Sequence, residues 1–102
     1  MSSLESKIKS KELDLFFEAI LKIKNIEECY MFFEDVATIT EVKALAQRLH
    51  VAELLRNKKT YAEIAEVTGA STATISRVNR CLNYGSDGYN LILDRFEDEE
   101  KQ

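Results

Sequence analysis

The stretch of this chain richest in usable side-chain chemistry runs from Arg56 to Arg80. It holds five basic residues, Arg56, Lys58, Lys59, Arg77 and Arg80, against two acidic ones, Glu63 and Glu66, in a chain whose net charge is −4. Residues 1–55 carry seven basic and ten acidic side chains and residues 81–102 carry two and six, so the positive charge is local. Clustered guanidinium and ammonium groups attract phosphates, and it is the charge of the docking face, not of the whole chain, that decides such binding. A pI near 5.0 argues only against indiscriminate attraction to polyanions.

Between those charges lies AEIAEVTGASTATISRV, residues 62–78, in which a glycine separates two short amphipathic halves and the second half is crowded with Ser and Thr. Neither is a strong helix former, so a helix here gives up intrinsic propensity for something else. Short hydroxyl and methyl groups let a helix lie deep in a DNA major groove, against base edges and thymine methyls, with no long side chains holding it off. Thr72, Ala73 and Ser76 are the base-facing candidates on this view. Arg56, Lys58, Lys59, Arg77 and Arg80 are then the phosphate contacts that carry the salt dependence. The acidic end, DRFEDEEKQ, must point away from the duplex.

The elements that position these residues follow from local signals. The chain has no proline and three glycines, which leaves helix as its natural state and makes an all-α fold the expectation. Apolar residues recur at three- and four-residue steps from Leu13 to Ile23, predicting a first helix over 11–23 behind Ser10. Asn25 caps a second, IEECYMFFEDVAT. Thr38 with Glu41 opens a third, through EVKALAQRLHVAELLRN, with Leu45, Leu49, Ala52 and Leu55 as its seam. Thr60 with Glu63 is another capping box, leading a short helix that sets Tyr61, Ile64, Ala65 and Val67 inward or sideways and stops at Gly69. Ser71 caps the next, TATISRVNRCL.

Two helices joined by a short turn containing glycine form a helix-turn-helix. Ala65 is small where the helices cross, Ile64 is core, and Ile75 with Val78 supplies the apolar side of the second helix. Capping alone accounts for Thr60, Gly69 and Ser71 in a hairpin that binds nothing. It does not account for Ala65, Gly69, Ile75 and Val78 falling together with a +3 segment in an acidic chain. A second alternative is a protein-interaction module that keeps this fold without reading DNA. Steep salt sensitivity separates the two, because an apolar docking face is indifferent to salt.

The segment RLHVAELLRNKKTYAEIAEVTGASTATISRVNRCL resembles the Trp repressor superfamily, and the chain with LNYGSDGYNLIL included resembles its YerC/YecD-like branch. The likeness is strongest over residues 38–93 and is carried by TGASTATISR. It implies a DNA-binding transcriptional regulator, a repressor by analogy, built as an interlocked all-helical homodimer whose N-terminal helices wrap around the partner chain. It also implies that residues 60–68 and the helix from Ser71 form the DNA reader. The layout expected is one domain over 1–102, with dimerisation helices over 1–37, a long central helix over 38–57, the helix-turn-helix over 60–82, and a C-terminal helix with an acidic tail over 86–102.

Composition points to a dimer independently. Phe16, Phe17, Tyr30, Phe32 and Phe33 crowd more apolar surface onto two helices than one thin monomer covers. A two-fold dimer places its recognition helices about 34 Å apart, facing successive major grooves, and predicts a palindromic operator.

Tryptophan-responsive members of the superfamily sandwich an indole between two arginines, whose counterparts here are Arg48 and Arg77. The glycine that follows the second arginine in those repressors is Val78 here, and the serine that helps hold the ligand's amino group is Cys81. A branched side chain where the ligand approaches the backbone, and a weak hydrogen-bonding partner, argue for a vestigial pocket with no tryptophan dependence.

Other chemistry is poorly supported. Two cysteines 52 positions apart and a single histidine, His50, make neither a zinc site nor a disulfide framework, and Cys29 reads as core. No phosphate-binding glycine loop or nucleophile motif suggests an enzyme, and no cofactor is implied. The start, MSSLESKIKSKELD, has no apolar targeting segment and no apolar run is long enough to span a membrane, so a soluble, cytoplasmic protein is expected.

Overall fold

Six helices make up the computed structural model, which describes residues 6–101. The reading of residues 1–5 as free of a targeting segment, and the last position of the tail, lie outside the described residues. The helices are α1 Lys11–Ile20, α2 Ile26–Val36, α3 Ile39–Arg56, α4 Tyr61–Thr68, α5 Thr72–Tyr84 and α6 Gly88–Glu100. No strand occurs among the described residues, as an all-α chain requires. The chain divides into two compact units, Met1–Thr38 and Ile39–Gln102.

In the first unit the caps are those read from sequence. Ser10 accepts from the Leu13 N–H at 3.1 Å and Asn25 from the Glu28 N–H at 2.9 Å. Helix α1 ends at Ile20, short of the expected Ile23, because Leu21 to Ile23 pass into a turn. Phe16 stacks on Phe32 with centroids 6.0 Å apart, and Phe32 meets Phe33 edge-on at 5.4 Å. These aromatic contacts bury nothing fully: neither α1 nor α2 has a buried residue, and Leu15, Phe17, Ile26, Tyr30, Met31 and Val36 are exposed. Cys29, expected in the core, is exposed as well.

The second unit contains the core. Val51 and Ala52 of α3, Ile64 of α4, Ala70 of the turn, Ile75 and Val78 of α5 and Leu93 of α6 are buried together. Leu54, Leu55, Ala65, Leu82 and Tyr89 pack around them. The seam of α3 therefore differs from the one expected. Ala52 and Leu55 face the core, but Leu45 is 52% exposed and Leu49 is exposed too, with Val51 in their place. The reason is packing: the buried positions of α3, Val51 and Ala52, lie on the side of its C-terminal half that meets the other helices, which leaves Ile39 and Leu45 of the N-terminal half and Leu49 off that side exposed.

Candidate nucleic-acid interface

Helix α4 begins with a reciprocal cap. The Glu63 N–H donates to Thr60 Oγ1 at 3.1 Å and the Thr60 N–H donates to Glu63 Oε1 at 2.8 Å. The Thr60 backbone N–H foremost, and then the Thr60 hydroxyl, hold the Glu63 carboxyl below the usual carboxylate range, with Lys59 adding a smaller pull. A lowered folded-state pKa stabilises above the unfolded value, and that stability is lost as pH falls through the folded one. Glu63→Gln keeps an acceptor without the titration, so it is expected to flatten the acid limb of the stability–pH curve measured by thermal unfolding.

The turn is equally determined. Gly69 closes α4 at φ 75°, a left-handed conformation that glycine adopts without a Cβ penalty, and its N–H donates to the Ala65 carbonyl at 2.8 Å. Gln47 Nε2 of α3 donates to the Thr68 carbonyl at 3.1 Å, pinning the end of α4, while Thr68 Oγ1 accepts from the Ala70 N–H. Ser71 then caps α5 by accepting from the Thr74 N–H at 3.1 Å. Gly69, Ala70 and Ser71 are thus the whole link between two capped helices, the arrangement of a helix-turn-helix.

Burial orients α5. Ile75 and Val78 face the core, and Thr72, Ala73, Ser76, Arg77 and Arg80 are all exposed. Spacings of one, three and four residues bring those five onto one helical face. Lys58 and Lys59, in the link between α3 and α4, are exposed as well. The Ile39–Gln102 unit thus presents short polar groups on a helix face, with four unburied cations on that face and in the preceding link.

Arg56 behaves differently from its assignment as a phosphate contact. Its Nη2 lies 2.6 Å from Asp94 Oδ1 and 3.0 Å from Glu97 Oε2, and its Nη1 donates to the carbonyl and Oδ1 of Asn90. The acidic partners, Asp94 first, raise its pKa. Its side chain is only 21% exposed, so in this structure it clamps α6 to the end of α3. Asn90 completes the joint by donating to the Leu82 carbonyl at 3.1 Å and to Asp87 Oδ1 at 2.9 Å. The acidic run is helical through Glu100, and two of its neighbourhood's carboxylates are occupied by this clamp. Sequence offers no local signal for Asn90, because its partner Arg56 is 34 positions away.

The ligand positions that the resemblance implies differ in burial. Val78 is 1% exposed, its side chain turned into the core, so it is not a wall in a ligand pocket, and this removes the steric half of the argument against tryptophan. Arg48 and Cys81 are half-buried. The groove between α3 and α4 is lined by Lys43, Ala46, Gln47, His50, Val67 and Thr68 instead. Val67, expected inward or sideways, is exposed. No group of three or more His, Cys, Asp or Glu residues among the described ones is placed to hold a metal ion. No helix of the described residues is long and apolar enough to cross a membrane.

The family model described as Trp repressor protein matches residues 11–97. The chain belongs to the Trp repressor family. Within it the chain falls in the YerC-like branch: it is 56% identical over 96 residues to the uncharacterized protein YerC of Bacillus subtilis (strain 168), covering 94% of this chain and 92% of that one. The crystal structure of a TrpR like protein from Eubacterium eligens ATCC 27750 superposes with a TM-score of 0.86 at 55% identity, covering 89% of this chain and 94% of that one. A second solved structure, from Staphylococcus aureus, gives a TM-score of 0.86 at 50% identity, covering 89% and 91%. The family match spans both compact units, so α1 and α2 belong to the Trp repressor pattern as much as the helix-turn-helix does.

Proposed function

We propose that this chain is a sequence-specific DNA-binding transcriptional regulator, a repressor by family analogy, that works as a homodimer on a palindromic operator and does not depend on tryptophan. The observation that carries the reading is the division of α5: Ile75 and Val78 are buried, while Thr72, Ala73, Ser76, Arg77 and Arg80 share the exposed face of a capped helix-turn-helix. Thr72, Ala73 and Ser76 meet base edges in the major groove, and Lys58, Lys59, Arg77 and Arg80 meet phosphates. Arg56 is no longer among them, since its donors are occupied by α6.

The homodimer is supported by the N-terminal helices, whose apolar side chains find no full burial within the chain. A partner of the same sequence is the economical cover, with the N-terminal helices interlocked as the family pattern implies, and two-fold symmetry then makes the operator palindromic. Selection of bound duplexes from a random pool, by purified protein without added ligand, tests all of this together. The expected result is an enriched palindrome whose affinity falls steeply with salt. An enriched site without dyad symmetry would remove the dimeric part of the reading.

Independence from tryptophan rests on Cys81, a weak hydrogen-bonding group where the ligand's amino group needs a strong one. Calorimetry with tryptophan is expected to show no binding, and the selected operator to be bound equally with and without it. Heat evolved at millimolar tryptophan or below would contradict this.

A further inference from the structure

Three described residues have a left-handed backbone, Lys58 at φ 64°, Gly69 at φ 75° and Asp87 at φ 71°, and two of them have an evident reason. Gly69 has no Cβ to clash. Asp87 has a short polar side chain that bonds locally, its Oδ1 accepting from Asn90 Nδ2. Lys58 has neither. It sits just past the end of α3, where the Lys59 N–H donates to the Leu54 carbonyl and the Lys58 N–H to the Leu55 carbonyl, both at 3.1 Å. Those two bonds make the helix ending in which glycine is the favoured residue at the left-handed position. Its side chain makes no ion pair with a described residue, and it is exposed. Attraction between a cation and the carbonyl end of the helix does not require a lysine at this position, because Arg56 and Lys59 flank it already.

We propose that Lys58 is a phosphate-binding residue kept in a strained conformation because its ammonium, projected from this helix end, contacts the DNA backbone. The inference rests on the DNA-binding reading above and deepens it: position 58 trades fold stability for affinity. Lys58 is exposed in the link between α3 and α4, two residues ahead of Thr60, the cap of the helix that leads to α5. Glycine here relaxes the backbone and removes the charge. Asparagine tolerates the same backbone and also removes the charge.

The test uses the full chain with Lys58→Gly, Lys58→Asn, Lys58→Arg and Arg77→Ala. It measures the thermal unfolding midpoint and the binding of a mixed-sequence duplex across a salt titration, because phosphate contacts are independent of sequence. The expected result is a midpoint raised by about 2–5 °C in Lys58→Gly, with the salt slope in Lys58→Gly and Lys58→Asn lowered by about one per protomer. Lys58→Arg binds as the parent does. If Lys58→Gly raises the midpoint and leaves the slope unchanged while Arg77→Ala lowers it, the role of Lys58 is overturned and the DNA-binding reading stands. If Lys58→Gly lowers the midpoint, the lysine stabilises the fold and the trade is refuted. If the parent chain shows no salt-dependent binding, both readings fall.

Discussion

Ile75→Ala will destabilise the protein by about 3 kcal/mol, measured as a shift in the urea unfolding midpoint at unchanged slope, because it empties a wholly buried side chain. Ile75 has no accessible surface and shares its core with Val51 and Ala52 of α3, Ile64 of α4, Val78 of α5 and Leu93 of α6. That core has seven buried members, none of them larger than leucine or isoleucine, so little material is at hand to collapse into the hole. Ser76→Ala, one position on, removes an exposed hydroxyl and should change stability by less than about 0.5 kcal/mol. Operator affinity inverts the comparison: Ser76→Ala impairs recognition in a folded protein, whereas Ile75→Ala impairs it only in proportion to the unfolded fraction. A loss at Ile75 below about 1 kcal/mol would mean that the site repacks freely.

Removing both exposed arginines of α5, as Arg77→Ala with Arg80→Ala, will lower the salt slope of duplex binding by about two per protomer and weaken binding more than tenfold at moderate salt. The thermal midpoint should move little, because neither guanidinium has an ion pair among the described residues and both are exposed. Arg56→Ala is the internal control with the opposite signature. It leaves Asp94, Glu97 and Asn90 without their shared donor, and should lower stability while leaving the salt slope largely alone. Equal effects of all three substitutions on the slope would put Arg56 back on the phosphate.

What the chain discloses before folding is local. Thr60, Glu63, Gly69 and Ser71 act within four residues of their partners, and each forms the cap read from it. Ile75 and Val78 were legible as core because α5 is otherwise polar, so only one side of it is suited to burial. Helix α3 is different: apolar residues lie nearly all around it, and only the placement of α4 and α5 chooses Val51 over Leu45 and Leu49. The pairing of Arg56 is hidden for a similar reason, since a count of charges does not see carboxylates 38 and 41 positions away. Lys58 gives no sign of its left-handed backbone, because the residue that would announce it is glycine, and glycine is absent there.

The bareness of α1 and α2 makes their folding a question of supply. A helix pair that buries no side chain of its own draws little stability from within, and the self-association proposed above would provide it by mass action. The N-terminal helices would then order and fray with the number of copies in the cell, while the helix-turn-helix keeps a core of its own and persists through dilution. A scarce chain would hold an intact reading head with nothing to pair it to a second, and occupancy of a two-half operator would rise more steeply than in proportion to abundance.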